Sequence, residues 1–137
     1  MTGEMLAIPQ RFLSVRYEAS RYPGAPGAAG LQAGANCQRF AYQVLRHFGL
    51  TVPPFRSSDL WEDNEHTHRV TRLKALDLLL WNASPSPRGA HVGVYLGEDR
   101  AIHLSKQVGK PAVWGLETFL EYERYSFFLG AKRARQP

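Results

Sequence analysis

The sequence predicts an α+β domain in which one amphipathic helix precedes a set of antiparallel strands. Apolar side chains at positions 37, 40, 41, 44, 45 and 48 follow the spacing of a helix with one buried stripe. Further along, residues 90–105 contain two strand-like runs on either side of Gly97-Glu98-Asp99-Arg100, which indicates a β-hairpin. A helix followed by strands that need no long crossover is typical of the α+β class.

The length and composition of the chain predict a single domain. Its 137 residues, 44% of them hydrophobic, are enough for one core and too few for two. We expect this domain to span residues 1–137, with 1–35 as an N-terminal segment and loop, 36–131 as the folded core and 132–137 as a basic tail.

The elements follow from local signals along the chain. The helix is expected to begin at Cys37 and to end near Phe48, because Asn36 suits an N-cap and Gly49 suits the position just beyond a helix. A loop dense in Gly, Pro and Ala precedes it at residues 21–36. The remaining signals predict a helical turn at 58–62, a buried strand at 75–81, a short helix at 116–123 and a last strand at 125–133.

The net charge of the chain favours one class of binding partner. Seventeen Lys and Arg residues against twelve Asp and Glu give a formal net charge of +5, which favours an anionic partner. The basic residues are scattered, apart from the stretch AKRAR at 131–135, so we expect no nucleic-acid binding.

No stretch has the length and hydrophobicity of a signal-peptide core or a membrane span, since the longest apolar run, 75–81, contains Asp77. These observations leave a cytoplasmic location and export by a trimmed or non-classical route both open. The single cysteine cannot form an internal disulfide, so the fold is not expected to need an oxidising compartment.

That cysteine, Cys37, stands at the predicted start of the helix. A thiol in the first helical turn lies at the positive end of the helix dipole and near free backbone N–H groups, and both effects favour the thiolate. Cys37 also belongs to the apolar stripe, and free cysteines are among the residues most often buried. The helix alone is therefore compatible with a nucleophile and with an ordinary core cysteine.

Five histidines are candidates for the base that a nucleophilic cysteine needs. His47 lies on the polar side of the helix near its end. His66 and His68 lie in a polar stretch that offers no further metal ligands at recognisable spacing. His91 and His103 lie in the predicted hairpin, where strands hold side chains on fixed faces, and they are the better candidates.

The hairpin imposes a condition on these two histidines. His91 shares a face with Gly93, and we expect that glycine to keep the face open. A two-residue turn at 98–99 with regular pairing would place His91 and His103 on opposite faces. A three-residue loop or a β-bulge is therefore required if they act together.

Three stretches, at 36–58, 76–81 and 91–105, together resemble the NlpC/P60 family of papain-like cysteine peptidases. They read NCQRFAYQVLRHFGLTVPPFRSS, LDLLLW and HVGVYLGEDRAIHLS. That family has a cysteine at a helix N-terminus, a Gly-Asp-Leu strand, and a strand that opens His-Val-Gly, with a histidine or amide residue twelve positions after its first histidine. The resemblance implies a papain-like NlpC/P60 fold in which the nucleophile-bearing helix packs on a central antiparallel sheet.

By this resemblance Cys37 matches the family nucleophile, His91 the base and His103 the group that orients the base. It implies a cysteine peptidase or amidase whose default substrate is the γ-D-glutamyl-diaminopimelate bond in a peptidoglycan stem peptide. It also implies a monomer that uses no metal and no cofactor, with residues 36–131 as the catalytic core. Another thiol amidase or acyltransferase on the same scaffold, or a non-catalytic wall-binding module, is an alternative.

The chain departs from the family pattern beside the nucleophile. The family usually reads Asp-Cys-Ser-Gly, whereas this chain reads Asn36-Cys37-Gln38-Arg39. The loss of a carboxylate and the gain of a guanidinium suit an anionic group better than a free amine. We therefore predict that Asn36 and Gln38 bind substrate, with Gln38 nearer the cleft than Arg39.

Two other positions depart from the pattern. The family tyrosine that precedes the cysteine is assigned to Tyr22 as a substrate-binding residue, with Tyr17 as the alternative. Ala75-Leu76-Asp77 stands where Pro-Gly-Asp is common, so we expect a different turn at the start of that strand.

Overall fold

The computed structural model describes residues 4–27 and 29–135. Six strands form one sheet in the order β1-β6-β2-β3-β4-β5, and every neighbouring pair is antiparallel. The predicted α+β class is confirmed. The strands are β1 (Thr67–Val70), β2 (Leu78–Asn82), β3 (His91–Gly97), β4 (Arg100–Leu104), β5 (Pro111–Gly115) and β6 (Phe127–Ala134); the helices are α1 (Cys37–His47), α2 (Ser57–Glu62) and α3 (Leu116–Leu120), with short 3-10 helices at Gln10–Ser14 and Glu123–Tyr125.

Helix α1 packs its apolar stripe on one face of the sheet. Both predicted end signals are confirmed: the Oδ1 of Asn36 accepts a hydrogen bond from the backbone N–H of Arg39 at 2.9 Å, and Gly49 adopts a φ of 86°. This face of the sheet and the helix stripe form the larger core. Its central members are Phe40, Ala41, Val44, Leu45, Leu78, Leu80, Val92, Val94, Leu96, Ile102 and Leu104.

A second core covers the opposite face of the sheet. Strand β2 is buried on both sides, which explains its unbroken apolar sequence LLLW. The side chains on this second face come from four strands, from α3 and from the 3-10 helix that follows it. They are Leu79, Trp81, Tyr95, Ala101, Phe119, Tyr125 and Ala131.

The β3–β4 hairpin contains the β-bulge that the sequence required. Glu98 and Asp99 form a two-residue turn with φ values of 54° and 55°. The pairing register then shifts between Tyr95 and Gly97, so one extra residue stands on β3. This shift brings His91 and His103 to the same face of the sheet.

The sequence missed both edge strands, β1 and β5, which lie in segments expected to be irregular. The predicted short helix at 116–123 is divided into α3 and a separate 3-10 turn.

The predicted tail boundary at residue 132 is wrong, because β6 continues to Ala134. Lys132 is buried and donates hydrogen bonds to the carbonyl oxygens of Trp61 and Asp63. Residues 136 and 137 of the predicted tail lie outside the described residues.

The turn before β2 contains a residue with a positive φ angle. Leu76 has a φ of 79°, a left-handed conformation that glycine adopts without strain. That this turn differs from the family's stays a prediction. Within residues 4–27 and 29–135, no helix is both long and apolar enough to span a membrane.

Candidate active site

The N-terminus of α1 places Cys37 beside strand β3. The side chain is half-buried, and the backbone N–H groups of Val92, Gln38 and Cys37 itself point to the sulfur. Burial raises the pKa of the Cys37 thiol to about 11, although these N–H groups act in the opposite direction. The neutral thiol is therefore the resting form at neutral pH. The helix dipole alone would favour the thiolate, but its effect is smaller than that of burial. Ionisation requires a base.

His91 and His103 form a hydrogen-bonded pair across the hairpin. The Nε2 atom of His91 lies 2.9 Å from the Nδ1 atom of His103. Burial lowers the pKa of His103 to about 4. Burial also holds the pKa of His91 well below its usual value; the charge of Arg124 lowers it further, as does His103 when it is itself protonated. Both imidazoles are therefore neutral at neutral pH.

An aromatic box, formed by Trp81, Trp114, Phe119 and Tyr125, encloses this pair. The ring of His103 is 1% exposed and lies 4.2 Å from Trp114 and 4.5 Å from Phe119, measured between ring centroids. The ring of His91 stacks on Tyr125 at 4.5 Å. Sequence reasoning missed the box, since Trp114 and Tyr125 come from elements outside the predicted hairpin. The only available signal was the density of aromatic residues between positions 114 and 125.

Gly93 has a different role from the one predicted. It is buried, and a Cβ atom added there would lie 3.1 Å from Trp81 Cζ3, 3.1 Å from the carbonyl oxygen of Ile102 and 3.4 Å from His103 Cβ. Because Gly93 has no side chain, Trp81 and His103 can pack closely against the backbone of β3. The expectation that Gly93 keeps this face open to solvent is wrong.

Cys37 lies between two cavities, one of about 250 Å³ and one of about 500 Å³. Both are lined by Cys37 and Tyr17; His91 lines the smaller one, and Asn36 and Gln38 line the larger one. The structure thus brings Cys37 and His91 to one cavity, with His103 behind His91.

These two cavities carry positive charge only. Lys106 and Arg124 line the smaller cavity, and Arg56 and Arg88 line the larger one. Among the described residues that line either cavity, none is an Asp or a Glu. This catalytic cleft, meaning the two cavities together, therefore favours anionic groups.

Tyr17 lines both cavities of the cleft, whereas Tyr22 lines neither. A bridge between the backbones of Tyr17 and Ala35 holds Tyr17 next to the start of α1. Tyr22 lines neither cavity; its ring lies 4.9 Å from the guanidinium of Arg56. Tyr22 is therefore not a lining residue of the cleft, and its role in substrate binding stays a prediction.

Arg39 also lies away from the cleft. Its side chain is 7% exposed, and it donates hydrogen bonds to the carbonyl oxygens of Gly30 at 3.0 Å and Tyr22 at 3.2 Å. The guanidinium therefore fixes the Gly- and Pro-rich loop and does not supply charge beside the thiol. Gln38, as predicted, is the nearer of the two residues to the cleft.

The other histidines lie elsewhere. His47 Nδ1 accepts a hydrogen bond from Arg11, and His66 lies 3.6 Å from Asp63. Across residues 4–27 and 29–135, no three His, Cys, Asp or Glu side chains form a group that could hold a metal ion.

Sequence comparison relates the chain to known proteins. A sequence model of the NlpC/P60 family matches residues 22–115. The chain is 35% identical over 79 residues to "Murein DD-endopeptidase MepS/Murein LD-carboxypeptidase" of Escherichia coli strain K12, and equally to that of strain O157:H7. The matched segment is 56% of this chain and 39% of those proteins, so the chain spans about two fifths of the length of these curated relatives.

Solved structures share the fold. An NLP/P60 family lipoprotein-like protein of Staphylococcus aureus Mu50 has a TM-score of 0.64 at 17% identity, covering 93% of this chain and 39% of that one. The NlpC/p60 domain of the peptidoglycan hydrolase SagA has a TM-score of 0.57 at 21% identity, covering 92% of this chain and 91% of that one. At these identities the likeness shows the fold alone. The family match extends over the segment that contains Cys37, His91 and His103, and the chain belongs to the NlpC/P60 family.

Proposed function

We propose that this protein is a cysteine peptidase that hydrolyses amide bonds in bacterial peptidoglycan. Family membership and the murein endopeptidase relatives support a peptidoglycan hydrolase. The observation that carries the proposal is the shared cavity of Cys37 and His91, with His91 hydrogen-bonded to His103 at 2.9 Å. A thiol, an imidazole and a group that orients the imidazole are what nucleophilic cysteine catalysis needs.

The hydrogen bond between the histidines assigns their nitrogen atoms. His103 occupies Nε2 of His91, so Nδ1 of His91 is the atom left to exchange a proton with Cys37. Within the described residues, Nε2 of His103 has no hydrogen-bond partner and lies in the aromatic box. A hydrogen on that atom can donate weakly to an aromatic face, whereas a lone pair cannot. This favours the tautomer in which His91 Nε2–H donates to His103 Nδ1 and His91 Nδ1 is free to act as the base.

The reaction follows from these protonation states. As Cys37 Sγ attacks the carbonyl carbon, its proton passes to Nδ1 of His91, and the resulting imidazolium donates from Nε2 to His103. The backbone N–H of Cys37 is a candidate donor to the oxyanion. Collapse of the tetrahedral intermediate breaks the C–N bond, and His91 returns the proton to the leaving amine. Water, activated by neutral His91, then hydrolyses the thioester.

The charges of the cleft define the proposed substrate. The described lining residues of the cleft include four cationic side chains and no carboxylate. Their charge repels a free ammonium group and attracts carboxylates. A γ-D-glutamyl-diaminopimelate bond has a carboxylate on each side, so it fits as the default substrate. Asn36 replaces the family carboxylate and is engaged as the N-cap. The protein is therefore proposed to accept stem peptides that are still attached to the glycan strand.

Mass spectrometry of muropeptides tests this proposal. Purified peptidoglycan is incubated with the wild-type protein, with Cys37→Ser and with Arg69→Gln, an exposed arginine outside the cleft, as a matched control. New free peptide ends are expected with the wild type and with Arg69→Gln, and none with Cys37→Ser. Equal products from Cys37→Ser would exclude the cysteine mechanism, and no product from the wild type on any muropeptide would exclude peptidoglycan hydrolysis.

A further inference from the structure

A cavity of about 910 Å³ lies apart from Cys37. It is a groove between the first 3-10 helix and the C-terminal half of α1. We call it the arginine groove. It is lined by Arg11, Phe12, Ser14, Val15, Arg16, Leu31, Gln32, Gln43, Arg46 and His47. At a rise of about 1.5 Å per residue, Arg46 is roughly 14 Å along the helix from Cys37.

The groove contains three guanidinium groups, and none of its ten lining residues is an Asp or a Glu. Arg11, Arg16 and Arg46 are all exposed. Within the described residues, no ion pair joins Arg11, Arg16 or Arg46 to a carboxylate, whereas Arg69 and Arg133 have such ion pairs. Positive charge concentrated in a concave site attracts anions more strongly than the same charge spread over a surface.

Two contacts hold one guanidinium ready for a ligand. Arg11 Nη2 donates to His47 Nδ1 at 2.8 Å, and the guanidinium lies 4.8 Å from the ring centroid of Phe12. A guanidinium has five N–H donors, so this contact leaves others for an anion. Because Nδ1 of neutral His47 accepts, its Nε2 carries a hydrogen and is a further donor.

We propose that the arginine groove binds a flexible chain of consecutive phosphate groups. Three guanidiniums around one cavity match several phosphates spaced along one molecule, since each planar guanidinium can bind phosphate oxygens in a bidentate manner. A groove admits a linear chain, whereas a membrane presents a broad surface. Phe12 is 4% exposed and offers no face on which bases can stack, and the one other aromatic ring of the groove, His47, already packs edge-to-face against Phe12 and Phe48. This disfavours single-stranded nucleic acid. The site is independent of the proposed peptidase activity.

Isothermal titration calorimetry with sodium triphosphate tests the proposal. The wild-type protein is expected to bind one equivalent, and Arg11→Gln, Arg16→Gln and Arg46→Gln are each expected to weaken binding about fivefold or more. Two controls remove the same charge elsewhere. Arg72→Gln changes an exposed loop residue, and Arg100→Gln changes the exposed first residue of β4; both are expected to leave Kd within about twofold.

Competition distinguishes the remaining sources of phosphate. Triphosphate is expected to displace a longer polyphosphate, while a 12-nucleotide single strand and phosphatidylglycerol vesicles bind at least tenfold more weakly. Equal weakening by all five variants would show that only diffuse net charge is involved and would overturn the proposal. Tighter binding of vesicles or of the oligonucleotide, lost in the groove variants, would also overturn it.

Discussion

Replacement of His103 by Phe tests the proposed role of this residue in orienting His91. Phenylalanine fills the aromatic box with a ring of similar size, so packing against Trp114 and Phe119 is retained. The change removes the acceptor Nδ1, which lies 2.9 Å from His91 Nε2, together with the Nε2–H group, which has no hydrogen-bond partner among the described residues. His103→Asn supplies an amide oxygen as a substitute acceptor and is the matched rescue variant.

The structure sets the expected magnitude. The lost bond is made by the imidazolium that forms during the reaction, and a hydrogen bond to a charged group is worth about 1.5–3 kcal/mol. This corresponds to a decrease in kcat of about 10- to 150-fold for His103→Phe. His103→Asn should recover part of the lost activity. His91→Ala should lower kcat far more than His103→Phe, because His91 moves the proton and His103 only orients His91.

The assay is kcat and kcat/KM for release of peptide from purified muropeptides, measured from pH 4 to 9, with thermal unfolding of each variant as the folding control. Because the pKa of His103 is about 4, His103 is neutral over most of this pH range and acts on His91 as a hydrogen-bond acceptor, not as a positive charge. Without that acceptor the charged form of His91 loses stabilisation and its pKa falls further, so the acidic limb of the kcat/KM profile should move to lower pH. A folded His103→Phe variant with kcat within about threefold of wild type and an unmoved acidic limb would refute the positioning role.

Four further measurements follow. Because the pKa of the Cys37 thiol is about 11, the rate of its alkylation by iodoacetamide should rise about tenfold per pH unit from 7 to 10, and a plateau between pH 6 and 8 would contradict this. Arg133→Met should lower the free energy of unfolding by about 3 kcal/mol by chemical denaturation, since it leaves the buried carboxylate of Asp77 without its ion pair; an unchanged midpoint would disprove the dependence. Gly93→Ala should reduce both melting temperature and kcat, because its Cβ displaces neighbours at 3.1 Å, and a wild-type-like variant would show that they yield freely. The wild type should hydrolyse N-acylated and free tetrapeptides with kcat/KM values that differ by no more than about threefold. Asn36→Asp should prefer the peptide with the free amine, because the new carboxylate can contact the ammonium group. A tenfold preference of the wild type for the free amine would refute the proposed specificity.

Local chemistry accounts for what the sequence predicted correctly. The stripe of α1, its cap at Asn36 and the turn at Glu98-Asp99 depend on residues close together in the chain, and each formed as expected. The requirement for a β-bulge followed from the two-residue period of strands once His91 and His103 were assumed to meet.

Long-range contacts account for what it missed. Strand β1 is an edge strand held by its pairing with β6, and Asp63 fixes its start through hydrogen bonds to Thr67 at 2.7 and 2.8 Å. Strand β5 is the opposite edge and pairs only with β4. Neither strand has an apolar face that alternates clearly enough to be seen in the sequence alone.

The candidate active site likewise combines features that local sequence signals predict with features that depend on long-range contacts. The positions of Cys37, His91 and His103 follow from one helix and one hairpin, both of which are visible in the sequence. That Tyr17 and not Tyr22 lines the cleft depends on how an irregular loop returns to the helix, and no periodicity encodes that path. The aromatic box depends on Trp114, Phe119 and Tyr125, which come from β5, α3 and the 3-10 helix that follows it, so its effect on the histidine pKa values was not predictable.

The burial of the site and the charge of its cleft have a joint consequence under the proposed function. Burial keeps both the Cys37 thiol and the His91 ring neutral, and the charge of Arg124 further opposes protonation of His91. A substrate carboxylate in the smaller cavity would offset the charges of Lys106 and Arg124 and thereby raise the pKa of His91. His91 would then accept a proton more readily when an anionic substrate is bound. The same cations that select the substrate would in this way keep His91 neutral until the substrate arrives.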